Sequence, residues 1–305
     1  MSLDAKPEQG AKVEQATKLN KVAALQMTSS SHDSGDTDCI SKSLDANLAQ
    51  AQKLIEQAVN QGAKLLVLPE YFAYHGCGDP AVIAQQEKTP NGPARTFLAD
   101  QARQHKVWIV GGTIPVAISG DKRASASCFV VNDEGREVAC YQKMHLFDVQ
   151  VDDAHGSYRE SDDYCHGNQP VVIDTPVGKL GLSVCYDLRF PELYRHLADQ
   201  GAEVIVVPSA FTAKTGEAHW QLLLKARAVE NLSYVIGANM GDRFHPKRPA
   251  WGGSAIIDPW GNIQGELDDG PGVIVTDIDL NYLKKLRQKM PVYEHRRFRV
   301  VKPSD

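Results

Sequence analysis

The segment LGLSVCYDLRFPEL (Leu180–Leu193) contains the change from strand to helix on which the fold depends. Its apolar, β-rich half stops at Cys185, and a charged turn leads to Pro191, a residue that favours the first turn of a helix. A strand that passes through a turn into a helix is the repeating unit of α/β proteins. The segment therefore predicts an α/β domain with sheets inside and helices outside.

The same alternation continues in both directions along the chain. KVAALQM (21–27) predicts a first strand, apolar residues from Leu44 to Ala58 recur at helical spacing, and Pro93 to His105 predicts a second helix. After EVIVVPSAF (203–211) a long helix is expected from about Glu217 to Asn231. Residues 149–169 are polar and irregular, which predicts a functional loop. We expect one domain at residues 21–298, a flexible extension at 1–20 and a short tail to 305.

Composition and charge exclude several classes of protein. The 305 residues are 42% hydrophobic and 23% charged, with a net charge of −5 and no basic stripe, so nucleic acid is an unexpected partner. No stretch approaches the ~20 apolar residues of a membrane span, and the start lacks the apolar core of a signal peptide. The six cysteines form no C-x-x-C pair, which argues against a disulfide framework and a zinc site. We therefore expect a cytoplasmic protein with no membrane partner and no metal.

Three reactive side chains follow buried strands: Glu70 ends LLVLPE, Lys143 ends VACYQK and Cys185 ends GLSVC. Reactive groups collect at strand ends in α/β folds. A cysteine can attack as a thiolate, a glutamate can take its proton, and a lysine can stabilise an oxyanion. Taken singly, however, the three are equally compatible with a buried thiol, a turn carboxylate and a solvated strand end, so the residues alone leave both interpretations open.

The segments around these residues, VLPEYF, YQKMHLFDV and VCYDLRFPEL, resemble in order and spacing the three signatures of the nitrilase, or carbon–nitrogen hydrolase, superfamily. The resemblance runs from about Lys21 to Arg297. It implies a four-layer αββα sandwich, a Glu70-Lys143-Cys185 triad, no cofactor and assembly into a homodimer or higher homo-oligomer. It also implies hydrolysis of an amide of a small molecule through a thioester.

The resemblance implies two further site groups. The family has a second glutamate between the lysine and the cysteine, and SYRESDD places Glu160 there, to orient Lys143. Without the resemblance, Glu160 would be taken as an exposed loop carboxylate. The backbone N–H of Tyr186, the residue after the cysteine, is expected to join Lys143 in holding the oxyanion.

Segments after Cys185 resemble the Nit branch of these amidases, which act on deaminated glutathione. PSAFTAKTGEAHW and MPVYEHRR are among the segments that carry this likeness. The branch implies hydrolysis to 2-oxoglutarate and cysteinylglycine, whereas the ω-amidase branch, which cleaves 2-oxoglutaramate, uses the same triad. Gly253 stands where a histidine is usual, and GANMGDRF and DYCHGN also depart from the branch pattern, so the substrate is less firmly implied than the reaction.

Five side chains are candidates for substrate binding: Arg189, Phe211, Thr212, His219 and Trp220. Arg189 can bind a substrate carboxylate bidentately, or it can form an internal ion pair with Asp187 or Glu192. The other four come from the segment after VVPSA and either line the pocket or, for His219 and Trp220, pack a helix start on the core. Arg227 and Glu230 are expected to form a surface or interface pair.

Overall fold

The computed structural model describes residues 20–29, 39–75, 78–151, 156–245 and 248–299. The strands are β1 Asn20–Gln26, β2 Leu65–Val67, β3 Trp108–Val110, β4 Ile114–Ala117, β5 Ala124–Val131, β6 Glu137–Gln142, β7 Asp148–Gln150, β8 Ser157–Arg159, β9 Tyr164–Cys165, β10 Val172–Thr175, β11 Gly178–Leu182, β12 Val204–Ser209, β13 Tyr234–Asn239, β14 Gly241–Asp242, β15 Ala250–Trp251, β16 Ala255–Ile257, β17 Ile263–Glu266 and β18 Gly272–Ile278. The α-helices are α1 Cys39–Asn60, α2 Pro80–Gln86, α3 Pro93–His105, α4 Pro191–Asp199, α5 Ala213–Asn231, α6 Leu280–Lys289 and α7 Val292–His295. Residues Glu160–Asp162 and Cys185–Arg189 form 3₁₀ turns.

Two mixed sheets carry the fold. The first has the order β18-β1-β2-β3-β5-β4, with β6 and β9 also paired to β5. The second has the order β10-β11-β12-β13-β16-β17. In each sheet the central strands are parallel, β1 with β2 and β3 in the first and β11 with β12 and β13 in the second. Parallel pairs need crossover connections, and helices supply them here.

The alternation of side chains along β1 shows how the layers stack. Val22 and Ala24 lie in a core shared with the second sheet, which contributes Leu180, Leu182 and Val204. The intervening residues of β1 lie in a second core, against α1 and α3. Because both faces of the strand are buried, the first sheet is covered by the second sheet on one side and by helices on the other.

Helices α4 and α5 cover the far side of the second sheet, packing on β11, β13 and β16. The order of layers is therefore helix, sheet, sheet, helix, and the predicted αββα sandwich is confirmed. No helix among the described residues has the length and apolar character needed to cross a membrane.

Most predicted elements are present, with two corrections. Helix α5 begins at Ala213, not near Glu217, because Gly216 continues the helix where it packs on Trp251: a Cβ on Gly216 would lie 2.2 Å from the Trp251 Cβ. The expected irregular loop at 149–169 contains β8, β9 and a 3₁₀ turn. Residues 1–19 and 300–305, where the flexible extension and the end of the tail were predicted, lie outside the described residues.

Candidate active site

The three strand ends singled out in the sequence meet at one point. The Lys143 Nζ lies 2.8 Å from Glu70 Oε1, and the Cys185 thiol is near enough to the Glu70 carboxylate for that carboxylate to raise its pKa. All three side chains are almost fully buried, with exposed fractions of 1% for Glu70, 2% for Lys143 and 7% for Cys185. Buried charged groups are found where they are paired, and this pair lies directly beside a thiol.

Glu70 is held by groups from both sheets. It follows β2, and its second oxygen, Oε2, accepts a hydrogen bond of 2.9 Å from the backbone N–H of Ala210, just past β12. The preceding Pro69 is approached so closely by Gly112 that a Cβ there would lie 1.9 Å from the Pro69 carbonyl oxygen. A glycine is therefore required at 112, where φ is also positive, and the close approach fixes the segment that carries Glu70.

Lys143 is clamped between two carboxylates. It follows β6, and its Nζ lies 2.9 and 2.8 Å from the two oxygens of Glu160 in addition to its contact with Glu70. Glu160 is oriented in turn by the Tyr71 hydroxyl, at 2.9 Å, and by the backbone N–H of Phe147, at 2.6 Å. One cation and two carboxylates leave the cluster with a net charge of −1 when all three are ionised.

Cys185 lies in a strained turn that Asp187 stabilises. Its φ of 45° is in the left-handed region, which a residue with a Cβ adopts only where the surroundings enforce it. The fully buried Asp187 carboxylate accepts hydrogen bonds from the Val184 N–H and the Tyr141 hydroxyl, at 2.8 and 2.7 Å. It also contacts the backbone N–H and the Nδ1 of His145. The turn that carries the thiol is thus tied to the segment that carries Lys143.

Burial sets the protonation states of the cluster. Burial raises the pKa of the Cys185 thiol well above its usual range, and the Glu70 carboxylate raises it further, against the opposing effect of Lys143. Burial also raises the pKa of Glu70, which Lys143 partly offsets. For Lys143, burial alone would lower the pKa, but the carboxylates of Glu160 and Glu70 together raise it well above its usual range. At neutral pH the thiol is therefore neutral and Lys143 is an ammonium.

The cluster lies at the wall of a cavity of about 350 Å³, within the ~300–1,000 Å³ typical of small-molecule sites. Tyr186, Phe211 and Thr212 line it, as do Glu70, Lys143, Glu160 and Cys185. The remaining lining residues are Tyr71, Tyr74, His75, Gly78, Pro80, Ile83, Pro115, Phe147, Ser157, Tyr158, Arg159, Asp163, Tyr164, Ala210, Thr215, Arg248, Pro249 and Ala250.

Three residues predicted to bind substrate lie outside this lining. Trp220 is fully buried and its Nε1 donates to the Gly253 carbonyl at 2.7 Å, so it packs in the core along the middle of α5. His219 Nδ1 lies 3.2 Å from the Arg189 guanidinium, which extends over the ring of Phe211. Among the ion pairs of the described residues, none joins Arg189 to either of its two expected acidic partners.

The surface position expected for the pair of Arg227 and Glu230 is wrong. The two side chains do pair, at 2.8 Å, but Arg227 is only 5% exposed. Its guanidinium also donates to the Leu188 carbonyl at 3.0 and 2.8 Å, because α5 packs against the turn that carries Cys185. The three-residue spacing indicated the pair but not its burial.

Sequence analysis missed the residues that position the cluster. The sequence offers Asp187 only as an alternative partner of Arg189, although an acidic residue two positions after a candidate nucleophile in a tight turn is a usable indication. Tyr71 follows Glu70 directly and has a positive φ of 56°, and Ala210 contributes through its backbone. No local pattern indicates the last two contacts, since their partners are distant along the chain.

Comparisons with known proteins agree with this architecture. A model of the family described as carbon-nitrogen hydrolase matches residues 21–288. The deaminated glutathione amidase of Synechocystis sp. is 41% identical over 279 residues, which cover 90% of this chain and 97% of that protein.

Two solved structures share the fold. Nit3 of Saccharomyces cerevisiae, a member of branch 10 of the nitrilase superfamily, has a TM-score of 0.78 at 32% identity, covering 92% of this chain and 97% of that one. An amidase variant from Nesterenkonia sp. AN1, which shows the result of Michael addition of acrylamide at the active-site cysteine, has a TM-score of 0.70 at 28% identity. That comparison covers 90% of this chain and 99% of the amidase.

Proposed function

Since the chain belongs to the carbon–nitrogen hydrolase family, and so is an amidase, we propose that it hydrolyses deaminated glutathione to 2-oxoglutarate and cysteinylglycine. The observation that supports the reaction type is the buried contact of Cys185 with Glu70 and of Glu70 with Lys143. The substrate part of the proposal rests on the likeness to the Synechocystis enzyme over nearly the whole of both chains.

The proposed reaction begins with a proton transfer inside the cluster. Glu70 accepts the proton of the Cys185 thiol as the sulfur attacks the amide carbonyl carbon. The thiol is neutral beforehand because burial holds its pKa high, so attack and deprotonation occur together. The Lys143 ammonium and the backbone N–H of Tyr186 stabilise the oxyanion that forms.

Collapse of the tetrahedral intermediate breaks the carbon–nitrogen bond. Glu70 returns its proton to the leaving amine, and the acyl group stays on Cys185 as a thioester. Glu70 then removes a proton from water, which attacks the thioester and releases the acid together with the regenerated thiol. Glu160 keeps the Lys143 ammonium in place throughout, because both of its oxygens contact the Nζ.

The test of the substrate is a comparison of kcat/KM for deaminated glutathione and for 2-oxoglutaramate. We expect deaminated glutathione to be preferred by at least ~10-fold, since its larger leaving group can make contacts that ammonia cannot. Equal or faster turnover of 2-oxoglutaramate would assign the chain to the ω-amidase reaction. Turnover of neither compound would leave only the family-level activity, to be sought among N-carbamoyl amino acids and nitriles.

The pH dependence of kcat/KM follows from the two raised pKa values. Glu70 must be ionised to accept a proton, so activity should be lost as the pH falls through a midpoint above the ordinary value of 4.5. The reacting thiol is protonated, and its pKa lies well above 9.0, so kcat/KM should stay level up to pH 9. S-methylated deaminated glutathione is the appropriate substrate, because a free substrate thiol titrates near ~8.5. A loss of activity between pH 7 and 9 would contradict this assignment.

We also propose that the enzyme is a homodimer, assembled through the outer face of α5. Leu222 and Val229 lie seven residues apart on that face and are 66% and 47% exposed, and Trp260 nearby is 54% exposed. Contiguous exposed apolar side chains of this kind mark interfaces. Light scattering at micromolar concentration should give a dimer, and Leu222→Glu should give a monomer. A fully active wild-type monomer would refute the assembly.

The proposed location is the cytoplasm. Cys128, Cys140, Cys165 and Cys185 are free thiols, as expected in a reducing compartment.

A further inference from the structure

One wall of the cavity contains His75 and Arg248, which lie near enough for the charge of Arg248 to act on the imidazole. His75 belongs to the turn that begins at Glu70, and the segment of Arg248 is joined to the strand end that holds Glu70. The joint is made by the Ala213 N–H, which donates to the Pro249 carbonyl at 2.9 Å. This wall is therefore connected to the proposed general base.

Arg248, an exposed residue at the cavity, is a lining cation with no carboxylate partner among the described residues. Three permanently basic side chains line the cavity: Lys143, Arg159 and Arg248. Lys143 contacts two glutamates, and Arg159 pairs with Asp162 at 3.2 Å. Within the described part of the chain, no carboxylate oxygen lies within 4.0 Å of the Arg248 guanidinium. Asp163, also at the cavity, is near enough for Arg248 to oppose the rise of its pKa caused by burial, but the two form no ion pair.

The imidazole of His75 places a buried polar atom at the same wall. The residue is 7% exposed, and its Nε2 has no partner among the described residues. Burial, together with the positive charge of Arg248, lowers the pKa of His75 to about 3, so its ring is neutral at physiological pH. A buried polar atom left unpaired costs free energy, which a ligand with a complementary polar atom recovers.

The position of this wall indicates which part of a substrate it contacts. Glu70 returns its proton to the leaving amine, so that nitrogen lies beside the Glu70 carboxylate during the reaction. Atoms bonded to the nitrogen can then extend along the wall that contains His75 and Arg248. Arg189, by contrast, lies over the rings of Tyr186 and Phe211 and is not among the residues that line the cavity.

We propose that Arg248 binds the carboxylate of the leaving group, with His75 as a second polar contact, and so selects amides of carboxylate-bearing amines such as cysteinylglycine. The inference rests on the proposed function and adds the residues that distinguish its substrate from 2-oxoglutaramate. Ammonia, the leaving group of 2-oxoglutaramate, has no atom that can reach Arg248. The contact exists in both the bound substrate and the transition state, so it acts mainly on KM.

The experiment is a cycle of two enzymes and two substrates. Wild type and Arg248→Gln are assayed on deaminated glutathione and on its C-terminal amide, which lacks the glycine charge. We expect the variant to lose about 10- to 100-fold in kcat/KM on the acid, through KM, the scale of a hydrogen bond to a charged group. It should lose less than about 2-fold on the C-terminal amide and on 2-oxoglutaramate. Arg248→Lys should recover part of the loss on the acid.

Two controls sharpen the cycle. Arg103→Gln removes one positive charge from an exposed pair with Asp100 and should leave kcat/KM unchanged for all three substrates. Wild type alone should already prefer the acid to its C-terminal amide by the same factor, and this preference should shrink as salt is added. His75→Phe should raise KM for the acid and for the C-terminal amide while sparing 2-oxoglutaramate.

The outcomes separate this inference from the function on which it rests. Suppose that wild type turns over deaminated glutathione, but that Arg248→Gln lowers kcat/KM equally for the acid and the C-terminal amide, or for neither. The inference is then wrong and the function stands. An equal loss on 2-oxoglutaramate would place the keto-acid carboxylate at Arg248 and would also overturn the inference. If wild type does not hydrolyse deaminated glutathione at all, both fail.

Discussion

Replacing Cys185 by alanine is expected to lower kcat by at least ~10³-fold and to change the free energy of unfolding by no more than about 1 kcal/mol. The loss of turnover follows because no other described thiol reaches Glu70. Stability should be nearly intact because alanine keeps the Cβ, and the backbone at φ 45° is held by the Asp187 hydrogen bonds, which the substitution leaves in place. Steady-state kinetics and denaturant unfolding measure the two quantities.

Cys128→Ala is the matched control for that substitution. Cys128 is also a buried free thiol, but it lies in the core between the sheets. Its loss should cost about 1 kcal/mol of stability through the cavity left behind and should leave kcat unchanged. Adding hydroxylamine to wild type should divert the acyl group from Cys185 to a 2-oxoglutarate hydroxamate. Substantial turnover by Cys185→Ala would refute the thioester route.

Lys143→Met is expected to abolish turnover and to destabilise the fold by about 3–5 kcal/mol, the cost of leaving buried charges uncompensated. The substitution removes the cation that lies within 2.9 Å of both Glu70 and Glu160. Lys179→Met is the control: its pair with Asp174 is exposed, and such pairs contribute at most about 1 kcal/mol. Activity should be lost in the first variant and kept in the second, and EDTA should change neither result.

The destabilisation of Lys143→Met should depend on pH. Without the ammonium, the pKa of Glu70 rises further than burial already raises it, so the folded variant binds protons that the unfolded chain has released. A group with a raised folded pKa contributes stability below its unfolded pKa, and that stability is lost as the pH rises through the folded value. Urea unfolding should therefore show that Lys143→Met loses less free energy of unfolding, relative to wild type, at pH 5 than at pH 8. A deficit that grows toward acid would contradict the assignment of the two carboxylates.

Local patterns predicted the alternation of strands and helices and indicated three candidate reactive residues, whereas the four layers and the triad were implied by the family resemblance. Strand alternation in KVAALQM and the turn at Pro191 carry the fold, and Glu70, Lys143 and Cys185 each follow an apolar strand. The start of α5 could not be predicted from the sequence. Glycine disfavours a helix, and the close packing of Gly216 on Trp251, which requires a glycine there, is visible only in the structure.

Contacts between distant segments account for the other differences. Trp220 follows His219 in a segment near the proposed pocket, yet the Gly253 carbonyl, far along the chain, determines that its indole is buried. Asp187 has two of its partners on Tyr141, in β6 of the first sheet, and on His145, just after that strand. Spacing along the chain does not show which face of a helix meets the cavity. Whether Arg189 and His219 line the cavity therefore could not be predicted without the tertiary packing.

The distribution of the cluster over two sheets has a consequence for refolding. Glu70 and Lys143 follow strands of the first sheet, whereas Cys185 and the Ala210 N–H follow strands of the second. A compact intermediate that has its secondary structure but not its fixed packing cannot hold the 2.9 Å hydrogen bond that joins the Ala210 N–H of one sheet to the Glu70 carboxylate of the other. After dilution from denaturant, catalytic activity should thus recover later than far-ultraviolet circular dichroism. The rate at which activity returns then measures how fast one sheet docks on the other.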